Sequence, residues 1–354
     1  MTGTIVARAS GATAPDGSAR LTAPLRPGTG EGPAPSANRW RTSIVIFVLT
    51  AVINALLVIA VLAALDPYDT GRFAIAPLWR DRIDREKNSR GRDPQFDSAI
   101  FGNSRIELLR PELLDKNTGM RFVSLPILGA EPIEEFVLLR YFLRHHSNPR
   151  ALVIGLDETW CFNPLQSELT AEYRDWLYSD SVLNYIVHLY SFRSIEQAWR
   201  VHSTSISRAD GFDDYEPLYH AAGADAMEVV RKKFNPARPT APFTSTTKFP
   251  AASQLEQILR DLPVATVVVL AWVPIHISMV SLPGSPSERA IAACHAAYVF
   301  DGSVHSRTRI VNWSVDRPEN RIDENYFDNV HYRTPIATAF GQDIADDLDA
   351  ALSE

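Results

Sequence analysis

Ala151-Leu152-Val153-Ile154-Gly155-Leu156 is an unbroken apolar run between Pro149-Arg150 and Asp157-Glu158. Its length, its β-branched residues and its polar flanks read as a strand. No face of it is polar, and a strand apolar on both faces is covered on both, the normal condition of a parallel sheet. Residues 266–273 (TVVVLAWV) repeat the pattern. Working outward, Ser98–Phe101 (SAIF) is a short apolar run stopped by Gly102, residues 121–125 (RFVSL) run into a Pro126–Gly129 turn, and residues 309–313 (RIVNW) read as the last strand. Helical patterns fall between them. Pro111 stands near the start of one, Glu131-Pro132 opens another whose apolar positions include Ile133, Phe136, Val137 and Tyr141, and residues 334–352 form a third behind Pro335. Strands alternating with helices predict an α/β domain, a parallel sheet with helices on both faces.

Upstream of this domain, residues 44–65 read IVIFVLTAVINALLVIAVLAAL, without a charge. A bilayer core of about 30 Å needs roughly 20 apolar residues, so this run is long enough to span. Asn54 is its one strongly polar residue, and a single amide is tolerated in a membrane helix. A cleaved signal peptide normally has a shorter apolar core, about 7–15 residues. The expectation is an uncleaved anchor over 42–65. Arg39 and Arg41 precede the run and Asp66 and Asp69 follow it. The positive-inside rule therefore puts the N-terminus in the cytoplasm and the C-terminal domain outside.

Residues 1–41 hold five Arg against Asp16 and Glu31, a charge of +3, which leaves −10 of the overall −7 on the remainder. That acidic balance argues against a nucleic-acid partner. The Gly- and Pro-rich composition of this first stretch predicts a disordered cytoplasmic tail. Residues 66–96 read as a juxtamembrane linker and 97–354 as the α/β domain. Residues 158–262 interrupt the alternation as a helical insertion rich in aromatics, among them Trp160, Tyr173, Trp176, Tyr178, Tyr185, Tyr190 and Trp199. They either pack as extra helices on the sheet or cap a substrate. Cys161 and Cys294 have no metal-type spacing, and the sequence leaves open whether they pair outside the cell.

Two short motifs carry chemistry. Gly102-Asn103-Ser104-Arg105 stands where the first strand ends, the edge at which parallel sheets bind ligands. Asp328-Asn329-Val330-His331 stands just before the last helix. An Asp three residues before a His can hold one ring nitrogen and aim the other at a serine hydroxyl, as a general base requires. No metal or nucleotide motif accompanies them.

Together the two motifs resemble those of the SGNH/GDSL hydrolase-like superfamily, and more narrowly its membrane-anchored bacterial members, including SGNH-type polysaccharide O-acetyltransferases. The resemblance spans about 97–350, the insertion apart. It implies a three-layer α/β/α sandwich around a five-stranded parallel sheet of order 2-1-3-4-5. It makes Ser104 the nucleophile, His331 the base and Asp328 its orienting acid, with the N–H groups of Ser104 and Gly129 in the oxyanion hole. The family's Asn after the third strand is here Asp157, an acceptor only; Asn163 is the nearby alternative donor. On this reading Asp157→Asn would restore a donor and raise the rate. Arg105 and His276 are candidate substrate contacts, each with a purely structural alternative.

Two functions follow as expectations. One is an esterase or O-acyl(acetyl)transferase at the bacterial inner membrane, anchored through 44–65. It would act on envelope polysaccharide through an acyl-serine, with no cofactor or metal. The other is a degenerate module that binds glycan or scaffolds polysaccharide-assembly membrane proteins.

Overall fold

The computed structural model describes residues 37–68, 70–73, 87–162, 169, 173–203, 216, 241 and 243–353. The disordered tail expected over 1–41 and the candidate donor Asn163 therefore fall largely or wholly outside the described residues. Two compact units divide the chain, Met1–Ile53 and Asn54–Glu354. Helix α1 (Ala37–Leu65) carries the apolar run, and its segment Arg39–Leu65 has a mean hydropathy of 3.0 over its most apolar window. By length and composition it can cross a membrane.

The α/β domain follows the predicted alternation. In chain order it contains α2 (Asn88–Gly91), β1 (Ser98–Phe101), α3 (Pro111–Thr118), β2 (Phe122–Ser124), α4 (Pro132–His145), β3 (Ala151–Leu156), α5 (Val182–Leu189), α6 (Phe192–Ser203), α7 (Pro250–Arg260), β4 (Val267–Trp272), α8 (Pro286–Gly302), β5 (Thr308–Asn312) and α9 (Thr334–Ser353). The five strands form one all-parallel sheet in the order β2-β1-β3-β4-β5. Period-two alternation splits each strand between two cores. Leu152, Ile154, Leu156, Val268, Leu270 and Trp272 pack with α4, α7 and α8, whereas Ala151, Val153, Val267 and Val269 pack with α3 and α9. Covering on both faces is why β3 and β4 are apolar throughout.

Two domain boundaries read from the sequence shift. The stretch 66–96 is not a plain linker: Asp66, Tyr68, Thr70, Lys87, Asn88, Ser89, Arg90 and Asp93 are buried. Tyr141 Oη donates to Asn88 O (3.0 Å) and Asn88 Nδ2 to Tyr68 O (2.7 Å). Its polar residues misled because they are hydrogen-bonded inside the domain. The insertion also ends earlier than 262. Helix α7 buries Ala251, Ala252, Leu255 and Leu259 in the layer that covers the sheet, so it is the crossover between β3 and β4.

Cys161 and Cys294 form a disulfide with Cα atoms 5.7 Å apart, which joins the segment just after β3 to the middle of α8.

Candidate active site

Ser104 lies in the turn that leaves β1. Gly102 takes φ 145°, and a Cβ there would stand 2.7 Å from Ile106 Cγ2, so the tight exit of the strand needs glycine. The Ile127 N–H donates to Gly102 O (2.9 Å), tying the loop after β2 to this turn. Gly129 sits two residues further on, at φ 62°. The N–H groups of Ser104 and Gly129 donate to no other group among the described residues.

The late motif meets the first. Ser104 Oγ is 2.9 Å from His331 Nε2, and His331 Nδ1 is 2.7 Å from Asp328 Oδ2. Asp328 Oδ1 accepts the backbone N–H groups of Val330 (2.8 Å) and His331 (2.7 Å), so one carboxylate folds the loop and orients the ring. Burial pushes the Asp328 carboxyl up, but its bonds from His331 and Val330 outweigh this and hold it below its ordinary value. An ionised Asp328 accepts the hydrogen bond of His331 Nδ1–H, which leaves Nε2 as the acceptor for the serine hydroxyl. The pair sits 227 residues apart in sequence and meets at the carboxyl edge of the sheet.

The other flank of Ser104 is acidic. Asp157, buried, caps the 3-10 turn Glu158–Cys161: its Oδ1 accepts Thr159 N–H (2.8 Å) and Thr159 Oγ1 (2.6 Å). Its Oδ2 accepts Asn103 Nδ2 (2.6 Å) and lies 3.5 Å from Arg105 Nη1. Both oxygens are thus committed, and an Asn here would turn an amide against groups that are themselves donors. That reverses the expected gain from Asp157→Asn. Arg105 is held by both Glu158 oxygens, with Nη2 2.7 Å from Oε1, so its guanidinium is engaged within the fold. Behind them Glu135 is fully buried. Burial first, then the charges of Asp157, Glu131 and Glu134, pushes its carboxyl well above the ordinary range, and burial likewise raises Glu131.

His276 is also engaged rather than displayed. Its Nε2 lies 2.9 Å from Asp323 Oδ1 and its Nδ1 2.8 Å from Ser278 Oγ, while its N–H donates to Asn329 O (3.0 Å). It therefore braces the loop that carries Asp328 and His331. The residues beside it, Ile275 and Met279, line a cavity of about 250 Å³ together with Glu158, Cys161, Trp272 and His295. Two of its lining residues touch neighbours of the site. Glu158 pairs with Arg105, and Asn329 Nδ2 donates to Met279 Sδ (2.9 Å).

The aromatics of the insertion divide. Trp160, Tyr173, Trp176, Tyr178 and Tyr185 are buried in the domain's own core, so none of these offers a ring face to a sugar. Tyr190 and Trp199 are exposed. Sequence reasoning missed Asn103, Glu158 and Asp323 as partners of the site. The adjacent Asp157-Glu158 pair, at the carboxyl end of a central strand and level with Arg105, was the available signal for two of them.

No family model matches this chain, and no curated protein matches it significantly.

Proposed function

We propose that this chain is an SGNH-like serine acyl esterase or O-acyltransferase held at a membrane by α1. The observation that carries the reading is the continuous Ser104–His331–Asp328 hydrogen-bond chain at the carboxyl edge of the sheet. Ser104 Oγ attacks the ester carbonyl as its proton passes to His331 Nε2. The tetrahedral adduct then expels the alcohol, which takes that proton, and leaves an acyl-serine. Water or a glycan hydroxyl, deprotonated by His331, repeats the step in reverse and frees Ser104. The N–H groups of Ser104 and Gly129 are the donors assigned to the oxyanion. The bordering cavity, with Trp272, Ile275 and Met279 in its wall, suits the acyl portion of the substrate.

We place the domain on the outer side of a bacterial inner membrane, acting on envelope polysaccharide. Arg39 and Arg41, the basic residues that lie nearest the apolar run, favour that orientation. The Cys161–Cys294 disulfide favours an oxidising compartment.

A second reading, a degenerate glycan-binding or scaffolding module, draws on one observation. Asp157 stands where the resemblance calls for an oxyanion donor, and both its oxygens are already engaged.

Labelling the full chain in membranes with a serine-reactive fluorophosphonate separates the two. The proposal expects labelling of the wild type that Ser104→Ala abolishes. Equal labelling of both, or of neither, overturns it.

A further inference from the structure

We propose that α5 and α6 lie on the lipid surface around α1 and bury an apolar face in the bilayer interface. The inference rests on reading α1 as membrane-spanning.

For a domain surrounded by water α6 is largely turned inside out, and α5 is apolar on its outer as well as its inner face. In α6 the side chains facing the protein include Ser194 and Gln197, both buried, while Phe192 is 80% and Trp199 76% exposed, with Ile195 between them. In α5 Tyr185 and Leu189 face inward, and Leu183 (72% exposed) and Val187 lie one turn apart on the opposite side. Phe73 and Tyr190 add to the same set of exposed apolar side chains. Single exposed apolar residues are ordinary, but a run of them on two successive helices marks an interaction surface.

The identity of the partner comes from what these helices are fastened to. Helix α1 ends at Leu65. The next residue, Asp66, adopts φ 40° and accepts Thr70 N–H (3.0 Å), Thr70 Oγ1 (2.9 Å) and Gly71 N–H (2.8 Å). It also accepts the hydroxyl of Tyr185 from α5 (3.2 Å). Tyr68 Oη reaches Ser194 Oγ of α6 (3.3 Å) and packs edge-on against Trp176, with ring centroids 5.1 Å apart. Arg72 bonds the carbonyls of Ser179 and Asp180 just before α5 and stands over the Tyr185 ring. The protein-facing sides of α5 and α6 are thus pinned to the first residues that leave the apolar span. Their outward sides then lie at the depth where the hydrocarbon ends. The composition fits that depth, with Trp, Tyr and Phe at the boundary and Arg193 beside the Glu196–Arg200 ion pair on the exposed polar flank of α6. No comparable argument favours a second copy or another protein.

Both native cysteines are in the disulfide, so one introduced cysteine is the sole free thiol and can carry an NBD fluorophore. The test uses the full chain in phosphatidylcholine/phosphatidylglycerol vesicles, labelled at Leu183→Cys, Phe192→Cys or Trp199→Cys. Val264→Cys is the exposed apolar control outside the patch. Lipids with a doxyl group near the headgroup should quench the three patch labels about twofold or more, and aqueous iodide should barely reach them. Iodide should quench the Val264→Cys label freely. Iodide access equal to the control's at all three overturns the inference. So does protection from iodide without lipid quenching, which would mean a protein covers the face. A Leu56→Cys label, quenched by lipids with a deep doxyl group only if α1 spans, separates failure of the premise from failure of the interfacial assignment.

Discussion

The two flanks of Ser104 are built from opposite chemistry. On one, a single ionised carboxylate, Asp328, is spent on two backbone N–H groups and one imidazole nitrogen, and the net result is an acceptor aimed at the serine hydroxyl. On the other, Asp157 and Glu158 pair with Arg105, and Glu131, Glu134 and Glu135 add further carboxylates that act on one another and on Asp157. On the proposed reading the first flank activates Ser104 as a nucleophile. The second crowds negative charge near the place where an oxyanion would form; Arg105 offsets it through Asp157 and Glu158, and burial raises the Glu135 carboxyl well above its ordinary range. A competent nucleophile therefore does not by itself guarantee a fast enzyme.

Breaking the first flank should have the largest effect. Ser104→Ala and His331→Ala should each lower ester turnover by about a thousandfold or more, and the double variant should lose little beyond either single one, since the pair acts as a unit. Hydrolysis of an aryl acetate by the full chain reads this directly. Additive losses would mean that the two side chains do not share one step.

Arg105→Ala attacks the second flank and should act chiefly on folding. It strands the buried Asp157 beside other carboxylates, and removing one partner of a buried pair typically costs about 3–5 kcal/mol. Because Glu158 is partly exposed, about 2–4 kcal/mol is expected, read from urea unfolding. A loss under about 0.5 kcal/mol would show that the acidic flank needs no cation. Asp157→Asn is milder. It should slow turnover about tenfold, or about 1.4 kcal/mol, by loosening Asn103 next to Ser104. A faster variant would restore the reading in which this position lacks only an oxyanion donor.

What the sequence disclosed follows the same division. The central strands β3 and β4 were legible because each is buried on both faces and lacks polar interruption, whereas the edge strand β5 is only half-buried and carries Arg309 and Asn312. Ser104, Asp328 and His331 were legible because each sits in a short motif at a strand or helix end. The acidic flank was not, because its pairing of Asn103 with Asp157 and Arg105 with Glu158 joins residues 54 and 53 positions apart. Likewise Lys87, Asn88 and Arg90 read as solvated linker until the fold is known to bury them. Polar residues reveal their partners only in three dimensions.

The apolar cavity beside the triad offers the smallest and most local contrast with the acidic flank. There burial raises a carboxyl; here it lowers an imidazole. His295 in α8 packs against Trp272, with ring centroids 3.9 Å apart, its Nδ1 lies 3.3 Å from Asn312 Nδ2, and burial holds its pKa down to about 4. Unfolded, the ring titrates near its ordinary value of about 6.5. A histidine whose folded pKa is depressed contributes stability that is fully present above about 6.5 and is lost as pH falls toward 4. Between pH 7.5 and 5.5 the loss should be about 1 kcal/mol, allowing for partial exposure of the ring. Asp115, raised to about 6 by burial, acts in the opposite sense within this range, and the upward shift of Glu135 has the same sign as that of Asp115, so the wild-type profile alone mixes the signs. The measurement is therefore the difference in unfolding free energy between wild type and His295→Phe at the two pH values. Wild type should lose about 1 kcal/mol more than the variant on acidification. Parallel profiles would mean that His295 is protonated as easily in the fold as outside it, and that the cavity wall is wetter than its lining of Trp272, Ile275 and Met279 implies.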